Sequence, residues 1–275
     1  MGYDEKLIND ANGGIARLLE VMRTLRDREI GCPWDIEQDF ASIAPFTIEE
    51  AYEVADAIDR QDWSELKNEL GDLLLQTAYH TQMASEAGLF TFDDVVNAIS
   101  DKMVSRHPHV FGSKNREKSA EQQAKDWEDI KEMERASKTK EGVLDDVALA
   151  LPALMRALKL QKRAARVGFD WPNISLVLDK IQEEAYELAE ARQNMNHVEV
   201  EEEYGDLMFV MVNFGRHLKV DAEAALRAAN AKFSRRFRYI EDQLAKQGIS
   251  PEQSNLDDME SLWNEAKKIE IEATG

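Results

Sequence analysis

Lys180-Ile181-Gln182-Glu183-Glu184-Ala185-Tyr186-Glu187, answered further on by Glu203-Tyr204-Gly205-Asp206, is the stretch whose reading decides the fold. Residues three and four apart share one face of an α-helix, so Glu184 and Glu187 point the same way, as do Glu203 and Asp206. Two such helices packed side by side gather four carboxylates. Two like charges roughly 4 Å apart cost about 1 kcal/mol in water and about 4 kcal/mol at an intermediate dielectric. The arrangement therefore calls for a cation. Hard oxygen donors of this kind suit Mg²⁺, with Mn²⁺ as a substitute, and such ions keep positions open for water and phosphate oxygens.

The pattern occurs twice. Glu49, Glu50, Glu53, Glu69, Gly71 and Asp72 each lie 134 positions before Glu183, Glu184, Glu187, Glu203, Gly205 and Asp206, without slippage. Any single Glu-x-x-Glu in a chain with 54 acidic residues is what a solvated helix face produces by chance. The shared register marks an internal repeat and gives a second candidate metal site, Glu50, Glu53, Glu69 and Asp72. The repeat reaches beyond the acids. Lys102 and Arg106 are matched 130 positions later by Lys232 and Arg236, and Trp127 and Lys131 are matched 136 positions later by Trp263 and Lys267. Gly71 and Gly205 fall inside helices, where glycine costs about 1 kcal/mol relative to alanine, which suggests that a neighbouring backbone or ligand needs room there, a simple packing notch being the alternative.

The chain has 275 residues, enough for two domains, and 34 Lys and Arg against 54 Asp and Glu, a net charge of −20. That balance opposes binding to nucleic acid or to an anionic membrane, so a polyphosphate is held only through metal ions and local cations. Cys32 is the only cysteine, which excludes an intrachain disulfide and makes a reducing cytoplasm the expectation. The first residues lack the basic and apolar regions of a signal peptide. No apolar run is long enough for a bilayer.

Apolar periodicity predicts a helix over 14–28, a turn at Gly31-Cys32-Pro33-Trp34-Asp35, and a helix opening near Thr47, where Thr47-Ile48-Glu49-Glu50 fits a capping box. Asp62 or Ser64 opens its partner, which runs to about Ala87. Thr91 opens another, which stops near Pro108. His107 and His109 invite a metal reading, but Phe237 and Tyr239 stand at the matching places. The second half repeats the plan with helices over 152–166, 174–195, 197–218, 221–245 and a last one containing Trp263. No stretch alternates with the period of a strand. The expected organisation is an all-α chain with an N-terminal domain over 1–137, a linker over 138–148 and a C-terminal domain over 149–275.

A carboxylate centre beside a Lys/Arg pair and an aromatic suits a nucleotide, with ions bridging phosphate oxygens, cations neutralising the rest and a Trp face for the base. The plainer readings are a solvated face for Lys-x-x-x-Arg and ordinary core for Trp263. There is no P-loop and no Gly-x-Ser-x-Gly elbow. A di-iron bundle would need Glu-x-x-His, and none of the five histidines stands three after a Glu.

Glu183-Glu184-x-x-Glu187, Glu203-x-x-Asp206, Lys232-Phe233-Ser234-Arg235-Arg236 and Gly31-Cys32-Pro33-Trp34-Asp35 together resemble the MazG family of nucleoside triphosphate pyrophosphohydrolases, over nearly the whole chain. The resemblance implies two tandem all-α domains with a four-helix-bundle-like site formed on homodimerisation. It also implies Mg²⁺-dependent cleavage of NTP or dNTP to NMP and pyrophosphate with broad base tolerance, hydrolysis being associated with the C-terminal half. The family's metal ligands map onto Glu184, Glu187, Glu203 and Asp206. Nucleotide contacts map onto Lys180, Ile181, Gln182, Glu183, Glu184, Glu202, Asp206, Lys232, Phe233, Ser234, Arg235, Arg236, Trp263 and Lys267. Glu183, with the four ligands, Lys232 and Arg236, would carry the reaction, Glu183 or another carboxylate taking a proton from water. Phe46 stands where the second half has Lys180 and Ser105 where it has Arg235, so the first half has two fewer cations for a polyphosphate. Two alternatives remain at this point: a narrower pyrophosphatase for a deoxynucleotide or modified base, and a non-catalytic metal- or nucleotide-binding regulator.

Overall fold

The computed structural model describes residues 2–112, 119, 121–123, 126, 127, 130, 142–145, 147–194 and 197–274, and among them all regular structure is helical. The chain divides into two compact units, Met1–Glu134 and Arg135–Gly275. The first contains α1 (Glu5–Asn9), α2 (Gly14–Leu25), α3 (Pro33–Glu37), α4 (Phe40–Asp59), α5 (Trp63–Glu86), α6 (Phe92–Arg106) and α7 (Pro108–Phe111). The second contains α8 (Ala153–Arg166), α9 (Ile174–Gln193), α10 (His197–His217), α11 (Ala222–Lys246), a 3₁₀ turn (Pro251–Gln253) and α12 (Leu256–Thr274).

Short polar side chains set most of the starts by accepting from the free N–H groups of the first turn. Asp62 caps α5, Asn173 caps α9 and Asp221 caps α11, while Thr91 and Asp94 cap α6 reciprocally. In each unit the dominant packing joins two consecutive long helices, α4 with α5 and α9 with α10. A three-residue turn, Arg60 to Asp62, links α4 to α5, with Gln61 in the left-handed region at φ 57°. So short a link folds the second helix back along the first, which brings acidic faces from both onto one seam. Met22, Ile43, Tyr79 and Met83, from α2, α4 and α5, form the first core. In the second unit Val177, Val210, Val212, Ile240 and Leu244 are buried.

The segment before α4 is tied down by Arg26, whose side chain is only 8% exposed and pairs with Glu86 at 2.8 Å. Its guanidinium also donates to the carbonyls of Asp35 and Gln38, and the Tyr79 hydroxyl donates to the Asp35 carbonyl at 2.9 Å. The expected turn at 31–35 is therefore partly helical, as α3.

Thr47 does not open a helix. The helix starts seven residues earlier, at Phe40, where Asp39 and Ser42 form the capping box, and it continues through Pro45. The Thr47 hydroxyl instead meets His80 Nε2 at 3.0 Å, across the α4–α5 seam. Glu50 therefore does not cap Thr47. The mid-helix glycines also read differently in the folded chain: a Cβ added at Gly71 or Gly205 would meet no atom within 4 Å. Among the described residues no neighbouring backbone claims that space. Lys131, and residues 138–141 and 146 of the expected linker over 138–148, lie outside the described residues.

Candidate metal centre

Three carboxylates of the second unit, Glu184 and Glu187 from α9 and Glu203 from α10, offer oxygen atoms that all lie within 4.8 Å of one another. Their exposures differ. Glu184 is buried, at 5% exposure, Glu203 is half-buried and Glu187 is exposed. The first unit has the corresponding group in Glu50 of α4 with Glu69 and Asp72 of α5, again within 4.8 Å. Each set falls one short of the four expected from spacing. Asp206 stands outside the second cluster and Glu53 outside the first, yet both charges reach it. Asp206 helps raise the carboxyl of Glu203, and Glu53 helps raise those of Glu50 and Glu69.

The electrostatics show what such a seam lacks. Burial is the main cause that pushes Glu203 above the ordinary carboxylate range, reinforced by Glu187, Glu184, Asp206 and Glu202. Glu50 is raised by burial and then by Asp72 and Glu53. Glu69 is pushed up to about 7, first by a hydrogen bond with Glu65, then by burial and by Glu53, Glu65 and Asp72. Carboxylates crowded in this way take up a proton more readily than an isolated acid, and a divalent ion would relieve the repulsion and compete with that proton. The donor set is all oxygen, which fits a hard ion such as Mg²⁺ or Mn²⁺. Among the described residues no histidine joins either cluster. His107 is taken up otherwise, its ring 4.9 Å from that of Trp127 and its Nδ1 2.6 Å from the Met103 carbonyl oxygen.

The two centres differ in local cations. Lys180 Nζ lies 2.7 Å from Glu184 and 2.7 Å from Glu183, a geometry that follows from i, i+4 and i, i+3 spacing on α9. Those two carboxylates raise the lysine's pKa, Glu183 more strongly than Glu184. The buried Glu184 therefore carries its own counter-ion. At the equivalent place in the first unit, Phe46 is 40% exposed and stands edge-on to Trp34, their ring centres 6.4 Å apart.

A second group of expected site residues sits on α11 and α12, which pack together, α11 also touching α10. Arg236 lies 5.4 Å over the Trp263 ring, and Phe233 is 5.2 Å from it. Lys232, Ser234, Arg235 and Lys267 are exposed, and Trp263 is half-buried. Arg106 lies over Trp127 at 5.3 Å, so the Arg-on-Trp contact recurs in the first unit. Sequence spacing did not show that both arginines of the pair Arg235–Arg236 are engaged by one acid, Glu270 of α12. Ile181 is half-buried, and Gln182, Glu183 and Glu202 are exposed along the carboxylate hairpin.

Comparison with known proteins agrees with the doubled architecture. A model of the MazG nucleotide pyrophosphohydrolase domain matches residues 38–111 and again 173–240. Those spans contain the two carboxylate hairpins. The chain is 52% identical over 260 residues to the nucleoside triphosphate pyrophosphohydrolase of Escherichia coli K12, covering 94% of this chain and 98% of that protein. It is 42% identical over 250 residues to the nucleoside triphosphate pyrophosphohydrolase/pyrophosphatase MazG of Thermotoga maritima, covering 91% and 94%. To the nucleoside triphosphate pyrophosphohydrolase of Mycobacterium tuberculosis it is 36% identical over 154 residues, 55% of this chain and 46% of that protein. With its domain model matched in both halves and full-length relatives on this scale of identity, the chain belongs to the MazG family of nucleotide pyrophosphohydrolases.

Proposed function

We propose that the second unit hydrolyses nucleoside triphosphates, NTP or dNTP, to the monophosphate and pyrophosphate, with Mg²⁺ as the metal and broad tolerance of the base. The observation that carries this reading is the cluster of Glu184, Glu187 and Glu203 within 4.8 Å, in a unit that also presents Lys232, Arg236 and Trp263. The kinship with the E. coli and Thermotoga enzymes supports it. Glu184, Glu187 and Glu203 would hold the ion, with Asp206 adding charge from just outside. When bound, Mg²⁺ supplies Lewis-acid polarisation of the α-phosphate and neutralises charge on departing pyrophosphate.

The chain's own residues do the rest. Lys232 and Arg236 bind phosphate oxygens and orient the triphosphate for in-line attack. Arg236 and Phe233 flank Trp263, so the ring is already held when a base approaches. Glu183, next to the ligand Glu184 and held by Lys180 at 2.7 Å, takes the proton of the attacking water. Lys180 pairs with the buried Glu184 at 2.7 Å and stands with Ile181 and Gln182 on the nucleotide side of α9.

The first unit has Phe46 and Ser105 in place of two of these cations, and in this reading it contributes little turnover. Exposed apolar side chains on the α9–α10 hairpin, Tyr186 at 67%, Tyr204 at 58% and Met211 at 46%, support completion of a bundle by a second copy. The lone cysteine supports a cytoplasmic setting. No helix among the described residues is long and apolar enough to cross a membrane.

The test is product analysis with ATP labelled in the γ-phosphate. Label recovered in pyrophosphate supports attack at the α-phosphate, and label in orthophosphate rejects it. A regulator that only binds nucleotide would release neither.

A further inference from the structure

Arg235 and Arg236 are neighbours on α11, and consecutive helical residues ordinarily diverge by about 100° around the axis. Here they converge on one carboxylate. Glu270 Oε1 accepts from Arg235 Nε at 3.0 Å, with the second nitrogen of that edge also at 3.0 Å. Glu270 Oε2 accepts from Arg236 Nε at 2.8 Å, again with the second nitrogen at 2.8 Å. Each arginine gives Glu270 the same edge of its guanidinium and keeps its outer amino group for another acceptor. Arg236 is additionally held by its flat face on Trp263 and is 15% exposed, whereas Arg235 is 63% exposed and pairs with the same acid. The acid arises from a repeated pattern: Trp263-x-x-x-Lys267-x-x-Glu270 matches Trp127-x-x-x-Lys131-x-x-Glu134, 136 positions earlier. The first half has Ser105 where the second has Arg235, so the double arginine belongs only to the half that also has Lys180.

We propose that Glu270 is a positioning residue for the nucleotide, a bridge that turns two divergent arginines into a preorganised pair of donors for adjacent phosphate groups of the triphosphate. This rests on the reading of α11 as the phosphate-binding helix. Arg236 holds Glu270 below the usual carboxylate range, with Arg235 adding to the effect.

The test measures binding of a non-hydrolysable NTP analogue with Mg²⁺ by calorimetry, in full-length wild type, Glu270→Gln, Arg235→Ala and the double variant. Glu270→Gln is expected to weaken binding roughly tenfold and to raise KM by a similar factor, with kcat changed by less than about twofold. In the double variant the effects are expected to fall short of additive, because the acid acts through Arg235. Unchanged binding in Glu270→Gln overturns the proposal. So does tighter binding, which would make Glu270 a competitor for the arginines. A lowered unfolding temperature with unchanged affinity identifies a merely structural ion pair. Wild-type protein that binds the analogue but releases no pyrophosphate from NTP defeats the proposed reaction and leaves the comparison of affinities intact.

Discussion

Glu203→Gln is expected to lower turnover of NTP by roughly 100- to 1,000-fold, equivalent to about 3–4 kcal/mol of transition-state stabilisation, while Glu69→Gln keeps most of the activity. These positions correspond in the repeat, and each belongs to its unit's carboxylate cluster. The comparison therefore tests the halves with the same chemistry. Glu203 is half-buried and is raised by burial and by four neighbouring acids. A neutral amide there removes repulsion, so the metal-free variant should unfold at or above the wild-type temperature. Loss of activity without loss of stability separates a ligand from a packing residue. The asymmetry has a physical basis in Lys180 against Phe46 and Arg235 against Ser105. If Glu69→Gln is the inactive variant, the assignment of turnover to the second unit is wrong.

Removal of divalent ions should have a comparably large effect. With chelator present, turnover is expected to fall by at least about 100-fold and to return with Mg²⁺ or Mn²⁺, because the clustered acids cannot hold a polyphosphate by themselves. Net charge and local charge act in the same direction here. A chain at −20 repels a triphosphate, and Glu184, Glu187 and Glu203 concentrate three of its acids at the site unless an ion intervenes. The ion should also stabilise the fold. An ion that binds only the folded state at about 100 times its Kd contributes about 2.7 kcal/mol, visible as a rise in unfolding temperature. Glu203→Gln should blunt that rise. Full turnover in chelator would remove the metal from the account.

The helical plan was legible because its signals are local. Asp62, Thr91 and Asp221 are short acceptors just ahead of apolar-periodic runs, and they cap the helices that follow. The 134-residue register located both hairpins, since a repeat carries its seams with it. Where reading failed, the deciding contact was distant in sequence. Thr47 matched a capping pattern, but the helix around it starts at Asp39 and Ser42, and the Thr47 hydroxyl serves His80 on the next helix. Pro45 lies within that first stretch without ending it.

At the site, spacing placed four acids on shared faces, but the tilt of one helix on another decides which oxygens meet. Asp72 enters the first cluster and Glu53 does not. In the second, Glu187 enters and Asp206 does not. Lys180 was legible as a cation near the ligands, and its i, i+4 relation to Glu184 was the signal for the ion pair that forms. Glu270 had a signal too, in the doubled Trp-x-x-x-Lys-x-x-Glu pattern, but only the packing of α11 on α12 shows that it gathers two arginines. Gly71 and Gly205 gave the opposite lesson, since among the described residues nothing lies close enough to require glycine there.

The central claim, that Glu184, Glu187 and Glu203 converge on a divalent ion that grips a nucleotide's phosphates, is tested most directly by anomalous diffraction from crystals grown with Mn²⁺ and a non-hydrolysable NTP. The account predicts an anomalous peak within coordination distance of those three carboxylates and of a phosphate oxygen. A nucleotide bound with its phosphates away from α9 and α10, or a seam of Glu184, Glu187 and Glu203 that takes up no manganese, would contradict it.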